Sequence, residues 1–369
     1  MLKRLYVDNY KCLVNFDLNF NAINLFLGAN GSGKSTVFEV LQKLRAIVNG
    51  DSRVSEEFKP ESRTRWQSSL LQSFELEITD NHQTYRYELG VEYDKNVDAA
   101  RVKHERLWLD DQPLLKFEGQ EARVYKEDFS EGSKFPFDGS RSVIEFLPLF
   151  NQRITQFKVR VNEILVVQIV PGLLGDATNQ AVPYPSRWMD NYSSWYQFLS
   201  RDQSWVVELT NRLLEVLPGF ENFRFVREIE NVEILKAVFS GQNGNKGAKR
   251  EYRFAELSDG QRALIVLYTL LIAAERENYV LCIDEPENFL ALPEIQPWLV
   301  KLYDSCTEGK TQAVLISHHP EMINYLLASP VGFWFEREAN TPVRVKPIVS
   351  EPDGGLPVSE LIARGWLHA

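Results

Sequence analysis

The chain has 369 residues, with 41 Lys and Arg against 51 Asp and Glu for a net charge of −10, enough length for two or three domains and a sizeable core. Three cysteines (Cys12, Cys282, Cys306) stand at unrelated spacings that fit neither a disulfide framework nor a metal site, so a reducing, cytoplasmic setting is expected. The acid excess argues against nucleic-acid binding over the whole surface, and no membrane is expected: the longest apolar stretch, Ile164 to Leu174, is too short to span one, and Met1 to Leu5 lacks the apolar core of a signal peptide.

In chain order, Leu5 and Val7, then Leu13, Phe16, Leu18 and Phe20, alternate as strands do, with Asp8 to Lys11 as a turn; a hairpin is predicted. The apolar run Ile23 to Leu27 then leads into GANGSGKS, residues 28 to 35, and a helical stretch from Lys34 to Val48. Strand, glycine loop and helix in that order predict a phosphate-binding loop. Gly28, Gly31 and Gly33 let successive backbone N–H groups face one anion, and the helix adds its positive end. Lys34 would neutralise the β- and γ-phosphates of a nucleoside triphosphate, and Ser35 would ligate Mg²⁺.

Residues 51–69 are polar and charged and read as a mobile connection. From Phe74 to Tyr125 the runs FELEI, TYRYELGVEY, RVKHERLWL and LLKFEG, separated by Asp- and Asn-rich turns, predict a small antiparallel sheet. Helical spacing returns over 126–222 at Ile144 and Leu147, at Ile154, Phe157 and Val161, and at Val206, Leu209, Leu213 and Leu217, before the stop Pro218-Gly219. The aromatic segment Tyr184 to Phe198, lacking a basic background, reads as packing between helices rather than as a base-stacking surface. From Phe223 the runs FRFVREIE, VEILKAVF and EYRFAEL predict strands, after which helix and strand alternate. Two basic clusters, Arg53, Lys59, Arg63 and Arg65, then Lys246, Lys249, Arg250 and Arg253, have acids interleaved and read as solvated charge, leaving nucleic-acid contact open.

Three later motifs carry chemistry. LSDGQR (Leu257 to Arg262) opens an apolar helix, Ala263 to Ala274; Ser258 and Gln261 have capping-box spacing, and Gly260 would leave the first N–H groups open to an anion. YVLCIDEPE (Tyr279 to Glu287) is a buried-type strand ending in two carboxylates, where Asp284 can hold the Mg²⁺ hydration shell and Glu285 can act as general base. QAVLISHHP (Gln312 to Pro320) is a second such strand, followed by two histidines of which one can hydrogen-bond a γ-phosphate.

Together these motifs resemble, over essentially the whole length, the ABC-type ATPases of the SMC, RecF and OLD group within the AAA family. DNYKCLVNFDLNFNAINLFLGANGSGKST, LSDG, IDEPE and SHHP follow in family order, with a closing element at Ser359 to Trp366. Asp259 replaces the usual central glycine of the signature, and NFLALPEIQ stands where relatives often carry N-H-L-H-P. No long heptad region accompanies them. The resemblance implies an α/β P-loop NTPase with an ABC-type ATPase head, an inserted antiparallel β-sheet and a helical subdomain, with lobes at 1–125, 126–222 and 223–369. ATP and Mg²⁺ would be the ligands. Asn30, Gly31, Ser32, Gly33, Lys34, Ser35 and Thr36 would line the phosphates, Glu285 would be the base, and His318, with His319 as the alternative, the sensor. Gln152 and Gln156 are candidates for the Q-loop glutamine. The resemblance also implies a head-to-head homodimer in which Ser258 and Gly260 of one chain close on ATP held by the other. Compact members of the group resemble ATPase subunits of bacterial antiphage systems, encoded beside a nuclease or other effector. Rival expectations are a RecF-like repair ATPase and a slowly hydrolysing assembly scaffold.

Overall fold

The computed structural model describes residues 1–94, 98–147, 151–229, 231–241, 249–327 and 331–348, with Glu360. It forms two compact units. The first is Met1–Ile164 with a return segment from Leu327, and the second is Leu165–Leu326.

The first unit opens with β1 (Leu2–Asp8) and β2 (Phe16–Asn19), an antiparallel hairpin with Leu5 opposite Leu18 and Val7 opposite Phe16. β3 (Ile23–Gly28) is buried at every residue and delivers the chain into the glycine loop and α1 (Lys34–Asn49). The segment 51–69, expected as a mobile connection, instead holds a helical turn, α2 (Val54–Glu57), and a 3-10 turn, Pro60–Ser62. Phe58 fixes it: the side chain is 1% exposed and its ring lies 5.0 Å from Phe74 and 6.3 Å from Tyr10.

The inserted sheet continues as β4 (Leu71–Asp80), β5 (Gln83–Asp94), β6 (Ala99–Leu109), β7 (Gln112–Glu118), β8 (Glu121–Tyr125) and β9 (Glu131–Pro136). With the first hairpin it makes eight antiparallel strands in the order β2-β1-β4-β5-β6-β7-β8-β9. Two tight turns, Asn81-His82 (φ 46° and 68°) and Asp110-Asp111 (φ 46° and 64°), have the left-handed pairs that match the twist of the strands they join. α3 (Val143–Phe146) and α4 (Gln152–Asn162) follow, and α4 sets Phe157 against Tyr85 and Tyr87 at 5.6 and 5.4 Å. Beneath them the Glu105 carboxylate is fully buried and accepts from Tyr87 Oη (2.8 Å), Ser142 Oγ (2.6 Å) and Val143 N (2.7 Å), so it braces the sheet and the start of α3 together.

The second unit contains β10 (Ile164–Gln168), β11 (Ala177–Thr178), α5 (Tyr192–Leu199), α6 (Gln203–Val216), β12 (Phe220–Ile229), β13 (Val232–Ser240) and β14 (Lys249–Arg253). β11, β12 and β14 join β13 in a four-stranded antiparallel sheet. β14 stops at Arg253 because Phe254 turns fully inward and the Glu256 carboxylate accepts from Arg253 N at 2.6 Å. The buried aromatics of the segment pack as much on the sheet as between helices: Tyr192 stacks on Phe254 at 4.9 Å, and Tyr196 meets Trp205 of α6 and Phe223 and Phe225 of β12, while Trp188 and Phe198 stay exposed. Lys249, Arg250 and Arg253 lie on or at the end of β14, and Lys246 lies outside the described residues.

Next come α7 (Asp259–Glu277), β15 (Val280–Asp284), α8 (Leu292–Thr307), β16 (Gln312–Ile316) and α9 (Pro320–Leu326). β15 and β16 are parallel, with Val280 opposite Gln312 and Asp284 opposite Ile316, and β10 neighbours β15. α7 is buried all round from Ala263 to Ala274, and Trp298 of α8 donates its indole N–H to Leu267 O at 2.9 Å. The chain then returns to the first unit as β17 (Gly332–Glu336), parallel to β3, and β18 (Arg344–Pro347), antiparallel to β17. The segment expected as one helical subdomain, 126–222, is therefore shared: α3 and α4 belong with α1, and α5 and α6 with α7. Ser359 to Trp366 lies outside the described residues apart from Glu360. Among the described residues no helix is long and apolar enough to cross a membrane, and Cys12, Cys282 and Cys306 are free and buried.

Candidate active site

The glycine loop lies wholly in the first unit, and its shape is set by β17 and the strand after it. Gly28 has φ 141° and a Cβ there would sit 2.3 Å from Phe335 O, because β17 runs against β3 with Phe335 opposite Gly28. Gly33 has φ 104°, and its Cβ would strike Val343 at 2.7 Å and Cys12 Sγ at 3.1 Å. Both positions demand glycine for backbone conformation and for space. Gly33 is also the N-cap of α1, with no side-chain cap and no acidic residue in the first turn. The helix start therefore presents backbone N–H donors without side-chain competition, the requirement for holding an anion.

Lys34 is 5% exposed, and its ammonium donates to Gly28 O (2.7 Å) and Ala29 O (3.0 Å), which folds the loop over its own cation. Ser32 is 3% exposed and its Oγ is buried without a hydrogen-bond partner. An orphaned hydroxyl beside a buried ammonium and an uncapped helix start fits a phosphate group, whose oxygens accept from all three. Asn30, Gly31 and Ser35 are exposed, and Thr36 is half-buried with Cys12 Sγ at 3.9 Å. Arg337, just after β17, donates to Gly31 O at 3.3 Å and lies 5.7 Å over the exposed Trp66 ring. No local spacing links Arg337 to the loop, since it is 306 residues away in sequence.

The other motifs belong to the second unit. Ser258 is the N-cap of α7: its Oγ accepts from Gln261 N at 3.2 Å, and Gln261 Oε1 accepts from Ser258 N at 3.1 Å, the reciprocal box its spacing implies. Asp259 pairs with Arg262 at 2.5 Å and takes no part in the cap. A Cβ on Gly260 would come within 3.0 Å of Phe289 O, so the turn after β15 packs on the signature.

β15 delivers Asp284 at its carboxyl end, and Glu285 follows in a left-handed conformation, φ 52°. A bulky residue in that region carries strain that the surroundings must hold. Here Glu285 N donates to Ile316 O (2.9 Å), Asn288 N donates to Glu285 O (3.1 Å), and Asn288 Nδ2 donates to Glu285 Oε2 (2.8 Å). One bond thereby holds the carboxylate and two hold the backbone that carries it. At the end of β16, His318 is exposed and its N–H donates to Glu287 Oε1 at 3.1 Å, while His319 is half-buried with Nδ1 unpartnered. Of the Q-loop candidates, Gln152 is exposed at the first turn of α4 and Gln156 donates to Asp80 Oδ2 at 3.1 Å. Among the described residues no three His, Cys, Asp or Glu side chains gather to hold a metal. Ser35 at the start of α1 and Asp284 at the carboxyl end of β15 are each oxygen donors of the kind Mg²⁺ takes, an ion that keeps most of its waters and so needs few protein ligands.

Comparison with known proteins bears on the fold and yields family matches. Residues 1–163 match the model of the AAA ATPase domain, and residues 206–324 match that of the "AAA domain, putative AbiEii toxin, Type IV TA system". Among curated proteins no relative matches. Of the solved structures, a "SmcHead bound to the C-winged helix domain of ScpA" is similar at 13% identity over 95% of this chain and 98% of that one, with a TM-score of 0.54. The fold is that of an SMC-head-like P-loop ATPase. An Smc head domain with an extended coiled coil, bound to the C-terminal domain of ScpA derived from Pyrococcus furiosus, is similar at 12% identity over 99% and 98% of the two chains, with a TM-score of 0.50. In this ATPase fold the glycine loop falls within the first family match, and the signature, acidic pair and histidines within the second.

Proposed function

We propose that this chain hydrolyses ATP in a Mg²⁺-dependent reaction, closes head to head with a second copy around the nucleotide, and so holds or releases a separate effector, such as a nuclease, in cytoplasmic antiphage defence. The observation that carries the ATPase reading is the glycine loop, with Lys34 buried, Ser32 Oγ orphaned and α1 uncapped. Lys34 exchanges its two loop carbonyls for the β- and γ-phosphates, and the N–H groups of residues 31 to 36 surround the β-phosphate. Ser35 would ligate Mg²⁺ and Asp284 would hold its hydration shell, and the ion would supply charge neutralisation for the transferring group. Glu285 orients and deprotonates the attacking water, with Asn288 keeping its carboxylate in one rotamer. His318 donates to the γ-phosphate and reports its loss.

The exposed start of α7 supports the dimer. Ser258 is exposed and Gly260 partly so at a helix N-terminus, where a γ-phosphate held by a second copy gains from both backbone N–H groups and the helix end. Two composite sites per twofold dimer follow. The effector reading is supported by the toxin-system wording of the second family match. The test is Mg·ATP hydrolysis by the purified chain, with and without chelator, followed by identification of what co-purifies with Glu285→Gln in Mg·ATP. A stoichiometric protein is the expected companion; nucleic acid without protein would replace the defence reading with a repair ATPase.

A further inference from the structure

Glu287 lies three residues beyond Asp284 and none of the roles above uses it. Its side chain is buried, 9% exposed, and faces the end of β16 rather than solvent. Oε1 accepts from Ser317 Oγ at 2.6 Å and from His318 N at 3.1 Å. The fully buried Ser317 Oγ in turn accepts from His319 N at 3.1 Å. One carboxylate oxygen therefore fixes, directly or through one hydroxyl, the backbone of both histidines. The same turn is tied to β16 a second time by Glu285 N to Ile316 O at 2.9 Å.

Two features set this knot apart from a simple structural brace. Glu287 Oε2 and His319 Nδ1 are both buried without a partner, so the knot keeps polar groups whose desolvation is only half repaid. It also sits between two strained residues, Glu285 at φ 52° and Phe289 at φ 72°, so whatever holds Glu287 also holds the backbone that aims Glu285. A carboxylate accepting two bonds at one oxygen makes a short, directional tie between the acidic turn and the histidine turn.

We infer that Glu287 is a positioning residue that couples the Glu285 turn to His318 and His319, keeping base and sensor in register for hydrolysis. The inference rests on the ATPase reading. It acts on the chemical step and not on nucleotide affinity, because Glu287 belongs to neither the glycine loop nor the signature.

The experiment compares Glu287→Ala, Glu287→Gln and Ser317→Ala with the wild-type chain, reading steady-state ATP hydrolysis and amide hydrogen exchange. Glu287→Ala is expected to lower kcat by about tenfold or more with KM for ATP changed by less than about twofold. The amides of His318 and His319 should exchange about tenfold faster in the same variant, as their acceptors are lost or released. Glu287→Gln keeps an acceptor oxygen for both bonds and should keep kcat within about threefold of wild type. Ser317→Ala removes only the hydroxyl link, should show the same kcat-only pattern at smaller size, and carries the test if Glu287→Ala does not fold. Wild-type kcat in Glu287→Ala, Gln no better than Ala, or a raised KM at constant kcat would each overturn the positioning role. A wild-type chain that does not hydrolyse Mg·ATP would overturn the ATPase reading itself, and the positioning role with it.

Discussion

The glycine loop and the paired ends of β15 and β16 are built from different materials. The loop is made of backbone: glycines at φ 141°, 78° and 104°, a helix start without a side-chain cap, and a lysine folded onto its own loop carbonyls. The strand ends are tied by side chains: Asn288 to Glu285 within one turn, and Ser317 and the His318 amide to Glu287 between the two turns. A backbone cradle fails when a Cβ intrudes, and a side-chain knot fails when one polar group is removed. The first kind of failure is one of binding, the second one of chemistry.

The largest expected effects separate those two failures. Gly33→Ala places a methyl 2.7 Å from Val343 at a left-handed position, and Lys34→Ala removes the buried ammonium; each should weaken ATP binding by about 100-fold or more, measured by calorimetry. Glu285→Gln should instead leave ATP affinity close to wild type and cut kcat by about 100-fold or more, in the range general-base catalysis contributes. Equal losses of affinity from Glu285→Gln and Lys34→Ala would erase the distinction.

Glu105 sharpens the comparison from outside the site. Its burial raises its pKa, against the opposing hydrogen bonds from Ser142, Tyr87 and Val143 N. A carboxyl whose folded pKa is raised gives stability that is present below the ordinary carboxylate range and is lost as pH rises through the folded value. Glu105→Gln should therefore flatten the loss of stability on going from acid to neutral pH, seen in urea titrations. Glu105→Ala, which strands two hydroxyls and an N–H, should cost about 3 kcal/mol at acid pH and less at neutral pH, while ATP affinity at 25 °C stays unchanged. Glu39 of α1 carries the opposite sign. Burial raises its pKa, but hydrogen bonds from Lys11 and Tyr10 and the charges of Lys11 and Lys43 outweigh burial and leave it lowered. Its contribution is present above the ordinary carboxylate range and is lost as pH falls through the folded value.

The smallest effects come from two helix caps. Asn151 accepts from Arg153 N and Ile154 N at the start of α4, and Ser258 accepts from Gln261 N at the start of α7. Each change to Ala should cost about 1 kcal/mol of stability by chemical denaturation. Only Ser258→Ala should also lower ATP-dependent dimerisation. A matching loss in Asn151→Ala would show that the effect is one of stability and not of a phosphate grip.

Local spacing made the glycine loop readable, since its parts are consecutive, and alternation made β4 to β7 readable, since each buries one face. The capping box of α7 was equally local. Segment 51–69 was misread because only two of its inward residues, Val54 and Phe58, are apolar; the others, Ser62 and Thr64, are polar and give no hydrophobic period. β9 was missed because EGSKFP at the sheet edge has no buried face to write into its sequence. The Glu287 knot and the Arg337 contact with Gly31 were invisible for another reason: their partners are 30 and 306 residues distant. The packing role of the aromatic run Tyr184 to Phe198 was legible for Tyr192, Trp195 and Tyr196, which are buried, but not for Trp188 and Phe198, which stay exposed with Arg187 and Arg201 over their rings.

The most direct test of the central claim is light scattering of Glu285→Gln during size-exclusion chromatography in Mg·ATP, with single-turnover hydrolysis measured on the same sample. A stable dimer holding two ATP per pair and hydrolysing at least about 100-fold more slowly than wild type is the result expected. A monomer that binds ATP, or hydrolysis at the wild-type rate, would contradict the account.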